Sequence, residues 1–276
     1  MRIINLVENT EGRPGCGVAH GLCFYIETPK HKLLMDTGPS DLLTRNAAAL
    51  GVDLAGVDTC IVSHGHYDHA DGVPAFAALN PTAKIYLRRG AEGQFYSTAD
   101  GEPHYIGMDP EIMKLKQVEW LDGDVRIDDE LSLFGKIPGR RSWPEGNKKL
   151  LRLSAGQFTQ DRFEHEQCLV IEAEGLRVLL SGCAHSGILN ILDRFAQLYG
   201  GAPDMVISGF HMKKRGDYSE AECQTIDDTA RELLNWPSVF YTCHCTSLPA
   251  YVRMKSIMGE RLRYIHCGET INSFNL

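Results

Sequence analysis

The sequence predicts a globular protein that contains both helices and strands. Short apolar runs rich in β-forming residues alternate along the chain with segments in which apolar residues recur at helical spacing. Hydrophobic residues make up 43% of the 276 residues and charged residues 23%, a balance typical of chains that bury a sizeable core. Because no linker-like segment divides the chain, we expect one domain over residues 1–276.

Nine segments are predicted as strands because each is short, apolar and rich in β-branched or aromatic residues. They are Ile3–Val7, Leu22–Glu27, Lys32–Asp36, Thr59–Ser63, Lys84–Leu87, Gln167–Ala173, Leu176–Ser181, Met205–Ser208 and Val239–Thr242.

Helices are predicted from apolar spacing and from start and stop signals. Ser219 and Glu222, three residues apart, form a capping box that starts one helix, and Pro237 stops it. The other predicted helices are Ser40–Leu50, Val73–Leu79 and a segment from Thr246 or Ser247 to Met258. The stretch Gly135–Lys149 is rich in Gly, Pro and basic residues, so we expect a long loop of the kind that often covers a site.

Charge and cysteine content exclude several classes of protein. The formal net charge of -8 lacks the basic footprint of a nucleic-acid-binding protein. No apolar run is long enough to span a bilayer, and the N-terminus does not resemble a signal peptide. Nine cysteines, an odd number, do not suggest a secreted disulfide framework. We therefore expect a cytoplasmic protein with no nucleic-acid or membrane partner; homo-oligomer formation is left open.

The segment Ser63–His69 carries the clearest chemical signal. His64 and His66 are two residues apart at a strand end, so that both imidazoles can point the same way. Asp68 and His69 follow immediately. Because adjacent side chains diverge there, they can bind the same ion from another direction or bind a second ion. Three imidazoles and a carboxylate suit zinc, iron or manganese rather than calcium. A histidine-rich turn that only forms hydrogen bonds is the alternative, and four potential ligands within six residues disfavour it.

This segment resembles the His-x-His-x-Asp-His signature of the metallo-β-lactamase superfamily, and Leu33–Gly38 resembles that superfamily's strand ending in Asp-x-Gly. Other segments are similar to a subgroup named for the synthase of a dihydropterin–ribofuranosylaminobenzene phosphate. They are Ala19–Leu22, Ser181–Ile188, Ser208–His211 and Cys243–Thr246. The resemblance implies an α+β fold, a four-layer αβ/βα sandwich, with metal ions between the edges of two sheets.

The resemblance also implies metal ligands far from the first motif. His244 stands where the superfamily's last histidine ligand lies, and His185 is the next candidate. Cys183 stands at the usual position of a bridging aspartate. A thiolate there would favour a softer ion, whereas a thiol that does not bind would leave His185 to substitute. Whether His165, near the third histidine motif, is a ligand is left open.

Cys243 and Cys245 flank His244 and suggest a Cys-x-Cys metal site. Because side chains alternate along a strand, both thiols would point away from His244, so we expect neither to bind metal.

Several residues are candidates for catalysis or for supporting the site. Asp68 can bind metal and also orient or deprotonate a nucleophile, and Asp36 can accept the free N–H of a ligand histidine or cap the helix near Ser40. His20 can reach the site as an acid or substrate contact, or occupy an ordinary turn. His211 precedes a basic run and can bind phosphate with it; a solvated loop is the alternative.

Two arginines of the predicted loop, Arg140 and Arg141, are weaker candidates for binding an anion. Three histidines have no motif support and are treated as ordinary: His31, His104 and His266.

The leading functional hypothesis is an enzyme that uses one or two divalent ions, zinc first and iron or manganese next. Its substrate would be a phosphorylated or pyrophosphorylated small molecule, processed by a hydrolase or by a transferase similar to the dihydropterin phosphate synthase. One alternative is a di-iron redox enzyme, a chemistry that superfamily relatives carry. The other is a non-catalytic, metal-stabilised binding protein.

Overall fold

The computed structural model describes residues 1–273 and contains two seven-stranded sheets and one four-stranded sheet. The strands are β1 (Arg2–Val7), β2 (Cys23–Glu27), β3 (Lys32–Met35), β4 (Thr59–Ile61), β5 (Lys84–Arg88), β6 (Gln94–Ser97), β7 (His104–Tyr105), β8 (Val118–Leu121), β9 (Val125–Arg126), β10 (Leu131–Gly135), β11 (Leu150–Ser154), β12 (Gln157–Gln160), β13 (Gln167–Ala173), β14 (Leu176–Ser181), β15 (Met205–Ser208), β16 (Val239–Thr242), β17 (Leu262–Tyr264) and β18 (Thr270–Asn272). The helices are α1 (Leu42–Leu50), α2 (Tyr67–Ala70), α3 (Val73–Leu79), α4 (Ile188–Tyr199), α5 (Glu220–Leu233) and α6 (Leu248–Met258).

The order of strands brings two sets of parallel strand ends together. The first large sheet has the order β18-β1-β2-β3-β4-β5-β8, and the second has β17-β16-β15-β14-β13-β10-β9. Strands β3, β4, β5 and β8 run parallel to one another, and so do β14, β15, β16 and β17. In sheets of this kind, sites lie beyond the carboxyl ends of the strands. The small sheet, β12-β11-β6-β7, stands apart from both.

Alternating side chains explain why the two large sheets stack between two layers of helices. In β3, Leu33 and Met35 join a buried cluster shared with the second sheet, while Leu34 joins a cluster with α1 and α3. In the second sheet, Val206 and Phe240 pack against α4, α5 and α6. These four layers confirm the predicted αβ/βα sandwich. Within residues 1–273, no helix combines the length and apolar character that a membrane span requires.

The nine predicted strands are all present, and β13 to β16 have the predicted bounds. The capping box at Ser219 and Glu222 is also confirmed, because each residue bonds the backbone of the other at the start of α5. Most of the missed elements lie between β5 and β13. Strand β12, for example, is exposed along its whole length, so that no apolar alternation marks it in the sequence.

The predicted long loop Gly135–Lys149 is irregular over most of its length. It begins where β10 ends and contains a short 3₁₀ turn at Glu145–Lys149. Helix α6 begins after Ser247, whose φ of 67° lies in the left-handed region and whose side chain makes no cap hydrogen bond. The prediction that Thr246 or Ser247 precedes this helix is confirmed, but the side-chain cap is absent.

Candidate metal centre

The predicted metal ligands meet where parallel strands of both large sheets end. Asp36 follows β3, His64 follows β4, Cys183 follows β14, and His244 follows β16. Two of these residues leave their strands with left-handed backbone, at φ 61° for Asp36 and 49° for His244. A non-glycine residue rarely adopts this conformation, and where it does so at a site the surrounding structure must hold it there.

One group of donors is formed by His64, His66 and His185. His64 Nε2 lies 3.1 Å from His66 Nδ1 and 3.3 Å from His185 Nε2. Tetrahedral zinc with Zn–N bonds of 2.0–2.1 Å separates its ligand nitrogens by about 3.3–3.4 Å. The two distances measured from His64 Nε2 are close to this separation.

A second group contains Asp68, His69, His244 and Cys183. Asp68 Oδ2 lies 3.3 Å from His244 Nε2 and 3.7 Å from His69 Nε2. Cys183 Sγ lies 3.2 Å from His69 Nε2. His244 Nε2 is buried and makes no hydrogen bond to any residue among 1–273, so it is oriented toward a point that it shares with Asp68.

Cys183 lies between the two groups. Its sulfur is within 4.8 Å of donor atoms of His64 and His185 on one side and of His69 and His244 on the other. The side chain is almost completely buried. It thus occupies the place from which one thiolate can contact an ion in either group.

The outer ring nitrogens of the candidate ligands are engaged by other side chains. His69 Nδ1 lies 2.7 Å from Asp36 Oδ2, His185 Nδ1 lies 3.0 Å from Asn147 Oδ1, and His244 Nδ1 lies 2.9 Å from Asn9 Oδ1. Contacts of this kind fix the tautomer and direct the other nitrogen toward a metal. Asp36 does not cap a helix, because α1 begins at Leu42 and its preceding residue is Asp41.

Two buried glutamates, Glu166 and Glu8, hold the backbone of the distant histidines. Glu166 accepts hydrogen bonds from the backbone N–H groups of His185 and Ser186, at 2.6 and 2.9 Å. Glu8 accepts from the backbone N–H of His244, at 2.5 Å, which stabilises its left-handed conformation. Neither glutamate was predicted from the sequence, because the contacts join residues that are 19 and 236 positions apart.

The local electrostatics favour the metal-binding forms of His64, His185 and Asp68 but not that of His69. Burial lowers the pKa of His69, but Asp36 and Asp68 outweigh it and raise that pKa to about 9, so a bound cation would displace the proton from Nε2. Burial lowers the pKa of His64 and His185 well below the ordinary value, so both imidazoles are neutral at pH 7. Burial raises the pKa of Asp68, but the neighbouring His69 and His244 outweigh it and hold that pKa well below its usual range. Burial raises the pKa of the Cys183 thiol, and a coordinated cation is what converts such a thiol to thiolate.

Nitrogen, carboxylate and thiol donors at these spacings fit divalent zinc, iron or manganese. The thiol favours zinc or iron over manganese, which prefers oxygen ligands. Calcium is excluded, because it requires six to eight oxygen ligands.

His165 supports the site by contacts that occupy both of its ring nitrogens. Its Nδ1 accepts a hydrogen bond from the Gly65 N–H at 3.1 Å, and its Nε2 lies 3.1 Å from Asp161 Oδ2. This imidazole anchors the backbone between His64 and His66, and it also belongs to a set of potential metal donors with His66 and Asp161, all within 4.8 Å of one another.

The strand alternation by which Cys245 was expected to point away from His244 does not occur. His244–Thr246 forms a 3₁₀ turn instead of continuing the strand, so strand alternation does not apply there. The Cys245 sulfur lies within 4.8 Å of donor atoms of Cys183 and His211. Cys243, by contrast, packs in the core between the two sheets, as expected for a residue that binds no metal.

A cavity of about 630 Å³ opens above the candidate ligands. His20 lies on its wall, stacks on His244 with ring centroids 4.9 Å apart, and places Nε2 3.4 Å from Asp68 Oδ2. His211 also lines it, with its ring 4.2 Å from that of His185. His104, which the sequence analysis treated as ordinary, lines the same cavity.

The basic residues near the cavity differ in their partners. Lys214 pairs with Glu222 at 2.7 Å, and Arg215 pairs with Asp100. Lys213 makes no ion pair among the described residues; its Nζ lies 3.3 Å from His20 Nδ1. The two loop arginines proposed for anion binding do not line the cavity. Arg141 pairs with Asp193 and Glu232, and Arg140 donates to carbonyls of its own loop.

Comparison with known proteins shows which protein family this chain belongs to. A family model described as the metallo-beta-lactamase superfamily matches residues 16–222. The chain is 29% identical to Tm1679, described as a metal-dependent hydrolase of the beta-lactamase superfamily, with a TM-score of 0.81 over 99% of this chain and 98% of that one. Zinc-bound PqqB from Methylobacterium extorquens shares the fold at 13% identity and a TM-score of 0.61, over 99% of this chain and all of that one.

A curated relative from Methanocaldococcus jannaschii is named 7,8-dihydropterin-6-methyl-4-(beta-D-ribofuranosyl)-aminobenzene-5'-phosphate synthase. It is 25% identical over 271 residues, which cover 91% of this chain and 89% of that protein.

Proposed function

Because the chain belongs to the metallo-beta-lactamase superfamily, we propose that it is a metal-dependent hydrolase that binds two divalent ions, preferably zinc, and cleaves a phosphorylated or pyrophosphorylated small molecule. The observation that carries the proposal is the pair of donor groups that meet at Cys183 beneath the cavity. Each group offers at least three protein donors, as catalytic zinc sites do.

Buried negative charge supports two ions rather than one. Five carboxylates in and around the donor groups are at most 7% exposed, and none bonds to a lysine or arginine among residues 1–273. They are Glu8, Asp36, Asp68, Asp161 and Glu166. Buried charges without fixed counter-charges are costly. Two divalent cations would offset most of this charge, and a single one would leave much of it uncompensated.

Divalent ions in these positions would supply Lewis acidity toward a phosphoryl oxygen and an activated water. The remaining roles, which are to orient water, to transfer protons and to contact the substrate, are proposed for protein side chains. Asp68, which lines the cavity and whose Oδ2 lies 3.7 Å from His69 Nε2 and 3.3 Å from His244 Nε2, orients the attacking water and accepts its proton.

His20 is the proposed hydrogen-bond donor to the leaving group; burial lowers its pKa to about 4, so the ring is neutral. Lys213 can only donate a hydrogen bond, so His20 Nδ1 accepts it and the ring proton resides on Nε2. That nitrogen lies on the cavity side, 3.4 Å from Asp68 Oδ2. Because Nε2 keeps its proton, the proton that Asp68 accepts from water passes from Asp68 itself to the leaving group, beside the His20 N–H.

Lys213 is the proposed contact for the substrate's phosphate. Its ammonium lines the cavity and has no carboxylate partner among residues 1–273, whereas Lys214 and Arg215 are already paired. A substrate phosphate beside it would gain a charge-assisted hydrogen bond. His211, on the same wall, is a second candidate for this contact.

The second candidate function is a transferase similar to the dihydropterin phosphate synthase. The likeness to the relative of that name supports it, and the same metal site would serve it. In a hydrolase the acceptor of the cleaved group is water, whereas a transferase needs a second molecule as the acceptor. The nine free cysteines, seven of them buried, support a reducing cytoplasmic location for either enzyme.

Elemental analysis of the purified protein, followed by an activity panel, tests the proposal. The panel contains aryl phosphomonoesters and diesters, pyrophosphate, a lactone and a β-lactam, each with and without added zinc. We expect at least two ions per chain, fewer in His64→Ala and in His244→Ala, and zinc-dependent turnover of a phosphoester or pyrophosphate. Exposed Lys116→Met serves as a surface control that should leave both quantities unchanged.

Other outcomes select against the proposal in distinct ways. Stoichiometric iron with visible absorbance would favour the redox alternative. Bound zinc without turnover on any substrate would favour a binding protein. Turnover that appears only when a second organic substrate is added would favour the transferase.

A further inference from the structure

Cys183, Cys245 and His211 form a third group of potential metal ligands. Their donor atoms all lie within 4.8 Å of one another. Each comes from a different loop, after β14, β16 and β15 respectively. The parallel order of these three strands in the sheet brings the loops together.

The fold holds the Cys245 sulfur in this position. The backbone N–H of His211 donates to Cys245 Sγ at 3.3 Å, and Sγ lies 3.6 Å from the carbonyl oxygen of Cys183. A Cβ atom at Gly209 would come within 2.4 Å of the same sulfur, so only glycine fits beside it. The thiol is almost completely buried in the protein but reaches the cavity wall.

His211 contributes an unsatisfied nitrogen to the group. Its Nδ1 is buried and has no hydrogen-bond partner among the described residues. Its backbone is left-handed, at φ 51°, although a histidine rarely adopts that conformation. A buried polar atom without a partner is costly, and a bound cation is one of the partners that would satisfy it.

We propose that Cys183, Cys245 and His211 form a further cation site, selective for a thiophilic ion such as zinc, cadmium or copper(I). Two sulfurs and one imidazole nitrogen are donors that select such ions over manganese or magnesium. Binding releases the thiol protons to solvent and leaves two thiolates on the ion. Cys183 is then shared with the neighbouring donor groups, and Cys245 belongs to this site alone.

Cadmium titration of the metal-free protein tests the site, because thiolate–cadmium bonds absorb in the ultraviolet and imidazole and carboxylate bonds do not. The titration uses a phosphine reductant and a Cys16→Ser background, since Cys16 and Cys267 are another neighbouring pair of thiols. Wild type is compared with Cys245→Ser and His211→Asn. Cys243→Ser is the matched control, two residues from Cys245 but in the core between the sheets. Far-UV circular dichroism checks that each variant is folded.

In Cys245→Ser we expect the saturating absorbance to fall to about half and one fewer cadmium ion per chain, because one of two thiolates is lost. His211→Asn should weaken binding of the same ion, and Cys243→Ser should leave both readings unchanged. Full absorbance in Cys245→Ser would overturn the site. So would a halved absorbance with unchanged stoichiometry, because Cys245 would then be a ligand of a neighbouring ion.

The site does not depend on the proposed hydrolase activity. Zinc-dependent turnover together with cadmium binding that is insensitive to Cys245 would overturn this inference alone. Cadmium binding that depends on Cys245 in a protein without turnover on the panel would overturn the proposed function alone.

Discussion

Replacement of Asp36 by asparagine should weaken metal binding although the residue touches no proposed ion. Asp36 Oδ1 accepts from the Ser63 N–H at 2.7 Å. Its Oδ2 accepts from the Ser63 hydroxyl at 2.8 Å and lies 2.7 Å from His69 Nδ1. The carboxylate thus keeps the proton of His69 on Nδ1 and leaves Nε2 free to bind metal. Asparagine has nearly the same shape and tolerates the left-handed backbone at φ 61°.

The amide cannot satisfy these partners in either orientation. If its NH2 group faces His69, two donors meet at about 2.7 Å unless the ring proton moves to Nε2, which blocks the metal-binding nitrogen. If its NH2 group takes the place of Oδ1, it faces the backbone N–H of Ser63, and two donors again meet. Loss of such an outer contact typically lowers metal affinity about 10–100-fold. This corresponds to about 1.4–2.7 kcal/mol per affected ion.

Competition between the protein and a chromophoric chelator measures the zinc affinity directly. Asp41→Asn is the control, because Asp41 is exposed at the start of α1 and faces no site residue. Urea unfolding of the metal-free proteins separates a loss of affinity from a loss of stability. Zinc affinity within threefold of wild type in a folded Asp36→Asn protein would refute the reasoning, since the tautomer of His69 would then not depend on Asp36.

Three further predictions follow from other contacts. Gly182→Ala should lower the free energy of unfolding by about 1–3 kcal/mol in urea, because its Cβ would lie 2.2 Å from Ser63 Oγ; Gly123→Ala, in open space, should not. Partial burial lowers the pKa of His31, but hydrogen bonds to two aspartates outweigh it and raise that pKa overall. His31→Gln should therefore cost up to about 1 kcal/mol below pH 6.5, and less as the pH rises through the raised pKa; a constant difference from pH 5 to 9 would contradict this. Lys213→Met should raise KM for a phosphorylated substrate about tenfold or more and change kcat less, whereas equal losses in both would assign Lys213 to the chemical step.

Local patterns predicted the strands that carry the site because those strands are apolar and short and end in polar motifs. The helix start at Ser219 was predictable for a similar reason, since a capping box is a contact between residues three apart. Strands in the small sheet were not predictable in this way. Strands β7 and β12 consist of exposed residues that carry no periodic apolar signal, and pairing across the sheet stabilises them instead.

The candidate ligands also differ in whether local spacing could predict them. His64, His66, Asp68 and His69 lie within six residues, so their spacing alone indicated a metal site. The places of His185, His244 and Cys183 came from resemblance to a family rather than from their own neighbourhoods.

By itself, the sequence determined the histidine-rich motif and the alternation of strands and helices, because each depends on residues close together in the chain. Only the tertiary structure decided that Cys245 turns toward Cys183, that His165 anchors a loop, and that Glu8 and Glu166 hold the histidine backbones. These contacts join residues up to 236 positions apart. They depend on how two sheets stack and on where the chain leaves each strand, and no local pattern of residues specifies either.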